Sequence, residues 1–285
     1  LGGVRSGKNL PIEADGTLLP RLAIGELAGE LPHGARAVAL GFRAGQTNQA
    51  DDAIAIGSRS SVKDQGQSSI AIGPDTAPDG QDDFCIAMGA RAGANTFQNL
   101  RQSTGCIAIG LEAGRNQQEP DAVAIGTNAG TNRQRDGCIA IGKEAGRNGA
   151  NAVNSIAIGT EAGKTSQEDG IAIGTEAGKD AQGARNIAIG QSAGTFIQRE
   201  HSVAIGNEAG NTQQGYEDGN VGGRAVAVGD LAGNTSQRTH SVAVGGAAGE
   251  SDQGLEANNE TGGAVAILGE VGDNFGAGMT GGMAF

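Results

Sequence analysis

Histidine, cysteine and paired carboxylates are the side chains in this sequence whose chemistry could support catalysis or metal binding. The histidines are His33, His201 and His240, too few to favour a Ser-His-Asp triad or a three-histidine metal site within one chain. Acidic pairs at 51–52 and 82–83 could serve glycan cleavage, but no companion general acid accompanies either pair. The sequence therefore predicts no enzyme, no cofactor and no metal site.

Some of these side chains recur at fixed positions of a repeat, which gives them a structural interpretation as well. His201 and His240 both precede a repeated glycine by five residues, so they either meet at the axis of a trimer or are solvated residues at the entry to a strand. Cys85, Cys106 and Cys138 each open a strand where Ser or Ala usually stands. Burial as small apolar residues is favoured over a disulfide between the first two.

A charged column lies two residues after the repeated glycine, and its sign changes along the chain. Its members are Arg43, Arg59 and Arg91, followed by Glu112, Glu144, Glu161, Glu176 and Glu208. The acidic part could attract cations or a basic partner, but we favour a role in keeping the surface soluble. The formal net charge of −12 argues against a nucleic-acid partner, because phosphate binding needs a basic stripe.

The reference point for all these positions is a motif glycine that recurs at intervals of mostly sixteen residues. The unit reads small-[Ile/Val]-Ala-[Ile/Val]-Gly-x-x-Ala-Gly, as in residues 155–163. The motif glycines are Gly25, Gly41, Gly57, Gly73, Gly89, Gly110, Gly126, Gly142, Gly159, Gly174, Gly190, Gly206, Gly229 and Gly245, and a weaker last copy ends at Gly269. We interpret them, with the second glycine of the unit, as corners.

The repeat predicts an all-β fold, a parallel β-solenoid or β-roll with two short strands per coil and about 15 coils. Alternation places Ile and Val on one face of a strand and Ala on the other. The chain contains 6 Phe, 1 Tyr and no Trp, so its interior must be thin. We expect the roll at 21–269, with caps or junctions at 1–20 and 270–285.

Glutamine forms a second column, eight residues after the motif glycine. Its members are Gln49, Gln65, Gln81, Gln118, Gln134, Gln167, Gln182, Gln198, Gln214, Gln237 and Gln253. Amides stacked in parallel coils can pass hydrogen bonds from one coil to the next, so we predict a structural ladder. A polar stripe that faces a ligand is the alternative.

Three long insertions, at 94–105, 211–224 and 250–263, all fall between the second corner and the next strand, which places them on one edge of the roll. Loops on a rigid scaffold often carry binding function, and tolerated surface decoration is the alternative. The candidate binding residues are Phe97, Arg101, Tyr216, Glu217, Asn258 and Asn259.

The motif Ser-[Ile/Val]-Ala-[Ile/Val]-Gly at 155–159, 202–206 and 241–245 resembles the head repeat of YadA-like trimeric autotransporter adhesins, over roughly residues 20–270. The resemblance implies a left-handed parallel β-roll, three chains side by side, and binding to host-cell or matrix ligands. The array Ala-Ile-Gly-x-x-Ala-Gly-x-x-x-Gln also looks like repeats in surface or fibre proteins of large DNA viruses and phages. The sixteen-residue period and the glutamine column favour this second group.

Together these features predict a homotrimeric fibre component on a virion or cell surface that attaches to a host-cell, matrix or glycan ligand. We expect the small Ala column to form the contact between chains. A self-assembling extracellular filament without a receptor is the alternative, and a glycan-active solenoid enzyme is a weaker one. No apolar stretch reaches the length that spans a bilayer, so we expect no membrane insertion by this segment.

Overall fold

The structure is a computed structural model. It describes residues 22–30, 32–95, 102–150, 154–167, 169–216 and 222–249. These residues form an all-β parallel solenoid of about 13 turns, about 16 residues apart, which confirms the fold class at this level. The weaker copy at Gly269 and both expected caps lie outside the described residues.

The chain divides into two compact units, Leu1–Asn128 and Ala129–Phe285. The strands of unit 1 are β1 (Leu22–Ile24), β2 (Val38–Leu40), β3 (Thr47–Gln49), β4 (Ile54–Ile56), β5 (Lys63–Gln65), β6 (Ile70–Ile72), β7 (Ile86–Met88), β8 (Ile107–Ile109), β9 (Asn116–Gln118) and β10 (Val123–Ile125). The order β1-β2-β4-β6-β7-β8-β10 forms the first wall of this unit. Strands β3, β5 and β9 belong to its second wall, where β3 pairs with β5.

Unit 2 repeats this arrangement. Its strands are β11 (Asn132–Gln134), β12 (Ile139–Ile141), β13 (Asn148–Ala150), β14 (Ile156–Ile158), β15 (Thr165–Gln167), β16 (Ile171–Ile173), β17 (Asp180–Gln182), β18 (Ile187–Ile189), β19 (Phe196–Gln198), β20 (Val203–Ile205), β21 (Thr212–Gln214), β22 (Val226–Val228) and β23 (Val242–Val244). The order β12-β14-β16-β18-β20-β22-β23 forms the first wall, and the second wall contains β11 and the run β13-β15-β17-β19-β21.

Identical residues stack in register from coil to coil in the first wall. In unit 1, Ile54 pairs with Ile70 and Ala55 with Ala71. Between two consecutive strands of the first wall, the chain passes through the second wall. Each coil is therefore hydrogen-bonded mainly to the coils before and after it. The stacking of equal side chains therefore follows directly from the equal length of the repeats.

The interior of each coil contains Ala and Gln, and the branched side chains point outward. Ala55, Ala71 and Ala108 are fully buried, whereas the flanking Ile54 and Ile56 are half-buried. The expectation that the Ala column contacts another chain is therefore wrong, because both faces of the strand are apolar and only Ala fits between the two closely spaced walls. The largest fully buried side chains in the described part of the chain are mostly glutamines.

The coil turns at more corners than the two glycines that the sequence indicates. The motif glycines have φ between +122° and +136°, and the second glycine of the unit has φ between +50° and +60°. Positive φ also occurs at non-glycine residues, for example at Glu112, Gln117 and Asp121. These side chains stand at the surface, where the left-handed conformation is strained but sterically open. Sequence patterns that rely on glycine miss such corners.

A side chain at the motif glycine would collide with the next coil. A Cβ atom at Gly229 would lie 2.5 Å from the carbonyl oxygen of Gly245, and the residue has φ +134°. We predict that Gly229→Ala destabilises unit 2 by about 3 kcal/mol or more, measured by urea unfolding.

The matched control is Gly246→Ala, because a Cβ atom there meets no other atom within 4 Å. This control should unfold at nearly the wild-type urea concentration. Equal destabilisation by the two substitutions would contradict the assignment of the motif glycine as a packed corner.

Candidate functional site

The outward face of the first wall forms an uninterrupted apolar surface in each unit. We call these surfaces the unit 1 strip and the unit 2 strip. The unit 1 strip consists of Leu22, Ile24, Val38, Leu40, Ile54, Ile56, Ile70, Ile72, Ile86, Met88, Ile107, Ile109, Val123 and Ile125. The unit 2 strip consists of Ile139, Ile141, Ile156, Ile158, Ile171, Ile173, Ile187, Ile189, Val203, Ile205, Val226, Val228, Val242 and Val244. Every one of these side chains is half-buried or exposed.

Polar residues flank the strips at the turn that enters each first-wall strand. In unit 1, Arg36 Nε lies 2.6 Å from Asp52 Oδ1, and the two residues occupy this turn in successive coils. Hydrogen bonding from Arg36 holds the pKa of Asp52 below its usual value. The result is an apolar centre beside a charged border, which is the anatomy of many protein–protein interfaces.

The glutamine column crosses the interior of unit 1. Gln65 Nε2 donates to the carbonyl oxygens of Ile54 at 2.8 Å and Ser69 at 3.1 Å, and it approaches Gln81 Oε1 at 3.5 Å. The first of these carbonyls belongs to the first wall, so the amide joins the two walls. The third contact joins successive coils. Ser69 O also accepts from Ile54 N at 2.9 Å, so the amide adds a second hydrogen bond to this buried carbonyl.

Unit 2 contains the same arrangement. Gln198 Nε2 donates to Ile187 O at 3.0 Å, Ser202 O at 3.1 Å and Gln214 Oε1 at 2.9 Å. Gln214 continues the chain to Gln237 at 3.1 Å. Described glutamines of the column are at most 3% exposed, so they do not form a stripe on the surface. The side chain of Gln167 and all of Gln253 lie outside the described residues.

Two members of this interior column depart from the pattern: one does not follow the eight-residue spacing, and the other is not a glutamine. Gln102 accepts from Gln81 Nε2 at 2.8 Å and donates to Gln118 Oε1 at 2.9 Å, although the insertion before it hides its position. Counting back four residues from Cys106, which opens the next strand, would have found it. His33 is buried and bridges to Gln49, so it takes the first described position of the column.

The acidic column is interleaved with basic side chains. In unit 2, Lys164 Nζ lies 2.8 Å from Glu144 and 3.3 Å from Glu161, and Lys179 Nζ lies 2.8 Å from Glu161. These hydrogen bonds lower the pKa of Glu144 and Glu161 and raise the pKa of both lysines. These lysines stand five residues after the motif glycine, outside the charged column that the sequence indicates. The alternating charges leave no purely acidic surface along this run.

The arginines of the charged column also have partners in unit 1. Arg59 Nε lies 2.5 Å from Asp75 Oδ1, and Arg91 Nη2 lies 2.5 Å from Glu112 Oε1. Arg43 Nε donates to the side chain of Gln46. In unit 2, Glu176 pairs with Lys179, and Glu208 accepts from the side-chain amide of Asn234.

The two described histidines outside the interior column face arginines. His201 Nε2 lies 3.1 Å from Arg185 Nη1, and His240 Nε2 lies 3.4 Å from Arg224 Nη1. Both imidazoles are exposed at the turn that enters a first-wall strand, the position expected of solvated residues.

Cys85, Cys106 and Cys138 are buried and form no disulfide. Cys85 Sγ donates to Ser103 O and Cys106 Sγ donates to Glu119 O, each at 2.8 Å. Burial raises the pKa of the Cys85 thiol to about 11 and that of Cys106 to about 12. Thiols with such pKa values are poor nucleophiles at neutral pH, and these side chains pack as small interior residues.

The acidic pairs connect coils. Asp51 Oδ1 accepts from Ala35 N and Asp83 Oδ1 accepts from Gln67 N, both at 2.7 Å. Among the described residues, no group of three or more His, Cys, Asp or Glu side chains is arranged to hold a metal ion.

Of the candidate loop residues, Tyr216 alone lies in the described part of the chain. Its backbone N–H donates to Gln237 O at 3.0 Å, and its carbonyl accepts from Thr239 N at 3.1 Å. Phe97, Arg101, Glu217, Asn258 and Asn259 lie outside the described residues.

No family model, curated protein or solved structure matches this chain. Across the described ranges, no helix has the length and hydrophobicity required to cross a bilayer. The resemblance to adhesin and fibre repeats therefore stays a prediction.

We predict that Gln198→Leu destabilises unit 2 by about 2 kcal/mol, because it removes the buried hydrogen bonds to Ile187 O and Ser202 O and takes away the Gln198 donor of the Gln214 amide oxygen. The control is Gln191→Leu in the same coil, where the side chain is exposed. Urea unfolding should separate the two variants, and coincident curves would contradict a structural role for the interior amide.

We predict that Lys164→Met destabilises unit 2 by about 1 kcal/mol at neutral pH, because two glutamates lose a shared partner. The pKa values of Glu144 and Glu161 are lowered from 4.5 in the folded chain, so this stabilisation is present above pH 4.5 and is lost as the pH falls through the lowered values. Urea unfolding at neutral and acidic pH measures the difference. Lys143→Met, at an exposed neighbouring position, is the control, and a difference that persists in acid would contradict the prediction.

Proposed function

We propose that this chain is a structural and adhesive component of a surface fibre, which assembles as a homotrimer through its strips and attaches to a host or partner surface. The observation that carries the proposal is the exposed apolar face of the first wall. Its side chains are almost all Ile, Val and Leu, whereas the buried apolar side chains of the described residues are Ala and Cys.

The size of each strip supports an assembly role. Seven strands at the usual spacing of about 4.8 Å extend a strip by roughly 29 Å. Monomeric proteins rarely leave contiguous apolar surface of this extent in contact with water. The exposed fractions of Leu40, Met88 and Ile205 are 39%, 38% and 37%, so a partner could still bury much of each side chain.

A second copy of the chain is the partner with the matching surface. The ridges of a strip repeat once per coil, and another copy offers ridges and grooves of the same period and the same residue type. Three copies around an axis could each turn one strip inward, which is a closed arrangement. The resemblance to trimeric adhesin heads supports the number three, and the strip takes the role that we first expected of the Ala column.

Attachment follows from repetition along the trimer. Three copies of a weak site presented together gain apparent affinity by raising the effective concentration of the second and third contacts. The insertions are the candidate contact segments, and the surface of a virion or cell is the location that this role requires. A host-cell, matrix or glycan ligand fits the proposal.

A filament without a receptor is the second candidate, and the end of unit 1 favours it. Leu22, Ala23 and Ile24 of β1 are all exposed, and β1 pairs only with β2 within the described residues. An open strand edge is a template for another chain. End-to-end stacking would then produce growth without a fixed number of chains.

Light scattering on wild type and two double variants tests the proposal. Wild type should have the mass of three chains at every concentration. Ile158→Glu with Ile173→Glu places charge on the unit 2 strip and should reduce the mass to that of one chain, with the β-sheet circular dichroism unchanged.

The matched control is Ala181→Glu with Ile197→Glu, which adds the same charge to the outward face of the second wall and should leave three chains associated. A wild-type monomer, or a strip variant that stays trimeric, would contradict the proposal. Mass that increases without limit would favour the filament.

A further inference from the structure

Asn148 is followed by Gly149, and no other asparagine in the 285 residues precedes a glycine. In this dipeptide the backbone nitrogen of the second residue can attack the asparagine side chain, because glycine has no side chain to obstruct the approach. Whether the reaction occurs in a folded chain depends on how tightly the backbone is held.

The attacking nitrogen lies on the edge of β13 that pairs with no other described strand. The middle N–H of a second-wall strand faces the preceding coil, as when Ser236 N donates to Thr212 O at 2.9 Å. For β13 the preceding coil contributes β11, which pairs with β9 and not with β13, so β13 is the edge strand of its sheet.

The Asn148 side chain is exposed and already polarised. Asn132 Nδ2 donates to Asn148 Oδ1 at 3.0 Å. A hydrogen bond to the amide oxygen withdraws electron density from Cγ and makes that carbon more electrophilic. Solvent also has access to this residue, which the later hydrolysis step requires.

The sequence of this coil departs from the glutamine column. Ala150 occupies the position that glutamine takes in its neighbours. An alanine cannot make the hydrogen bonds to the first wall that Gln182 Nε2 makes to Ile171 O at 3.4 Å and Gln198 Nε2 makes to Ile187 O at 3.0 Å. Residue 150 therefore provides no side-chain hydrogen bond between the walls.

We propose that Asn148 is a site of spontaneous deamidation. The Gly149 nitrogen loses its proton and attacks Cγ of Asn148, a C–N bond forms, the bond from Cγ to Nδ2 breaks, and ammonia leaves. Water then opens one of the two C–N bonds of the succinimide ring and gives aspartate or isoaspartate. The reaction requires no oxidant or reductant.

The modification adds a negative charge to the second wall of unit 2. The isoaspartate product also lengthens the backbone by one carbon between Asn148 and Gly149, which disrupts the pairing of β13 with β15. Chemical ageing would thus act at the coil where the glutamine column is already interrupted.

The test follows the tryptic peptide that begins at Asn148, by mass spectrometry, during incubation of the full chain at mildly alkaline pH. We expect conversion to the acid at Asn148 in the native chain, well ahead of Asn132 and Asn116. Ala150→Gln keeps the Asn-Gly dipeptide and restores the interior amide, so deamidation should be about fivefold slower. Gly149→Ala should slow it further.

Incubation in urea gives the rate for the same dipeptide without the fold. Negligible conversion in the native chain alongside ready conversion in urea would overturn the proposal, because the fold would then protect the site. An unchanged rate in Ala150→Gln would overturn the role assigned to the missing amide. The wild-type result is independent of oligomeric state, so it is distinguishable from failure of the trimer proposal.

Discussion

A glutamine side chain from the second wall donates to a carbonyl group of a first-wall strand and to the carbonyl group that precedes the next first-wall strand, and the spacing of the walls depends on it. The walls are close enough to bury Ala completely, and the glutamine column fills the remaining width. Gln237, for example, donates to Val226 O at 2.7 Å and Ser241 O at 3.3 Å. A larger apolar residue at this position would remove these hydrogen bonds and the one from Gln214 Nε2 to Gln237 Oε1, which is costly in a buried site.

The narrow interior determines the distribution of apolar residues. Ile and Val cannot fit between the walls, so the repeat places them outward, where each stacks in register on its equivalents in the neighbouring coils, as Ile171 does on Ile187. Burying such side chains fully contributes roughly 1.5–3 kcal/mol each. In a single chain these side chains are only partly buried, so part of this stabilisation is not realised. Because the narrow, hydrogen-bonded interior forces them outward, it also creates the apolar surface that the proposed assembly would bury.

The sequence predicts the period and the strands, and it divides the residues of each strand into two opposite faces. These predictions follow from the alternation of side chains and from the spacing of glycine. The sequence does not predict which face is inside, since Ala39 and Val38 are both apolar and the choice depends on the distance between the walls. The glutamine column indicates that distance only when the structure shows that side chains from the second wall hydrogen-bond to the first wall. Gln102 is not predicted as a member of the glutamine column, because an insertion shifts it from the eight-residue spacing. Lys164 and Lys179 are not predicted as partners of the glutamates, because they occupy a different position of the repeat from the charged column.

Hydrogen exchange of the glutamine side-chain amides, measured by NMR, tests the central claim most directly. The account predicts that the NH2 protons of Gln65, Gln118 and Gln198 exchange far more slowly than those of the exposed Gln191, since release requires the two walls to separate. Exchange of all four at the rate of a solvent-exposed amide would contradict an interior held together by these groups.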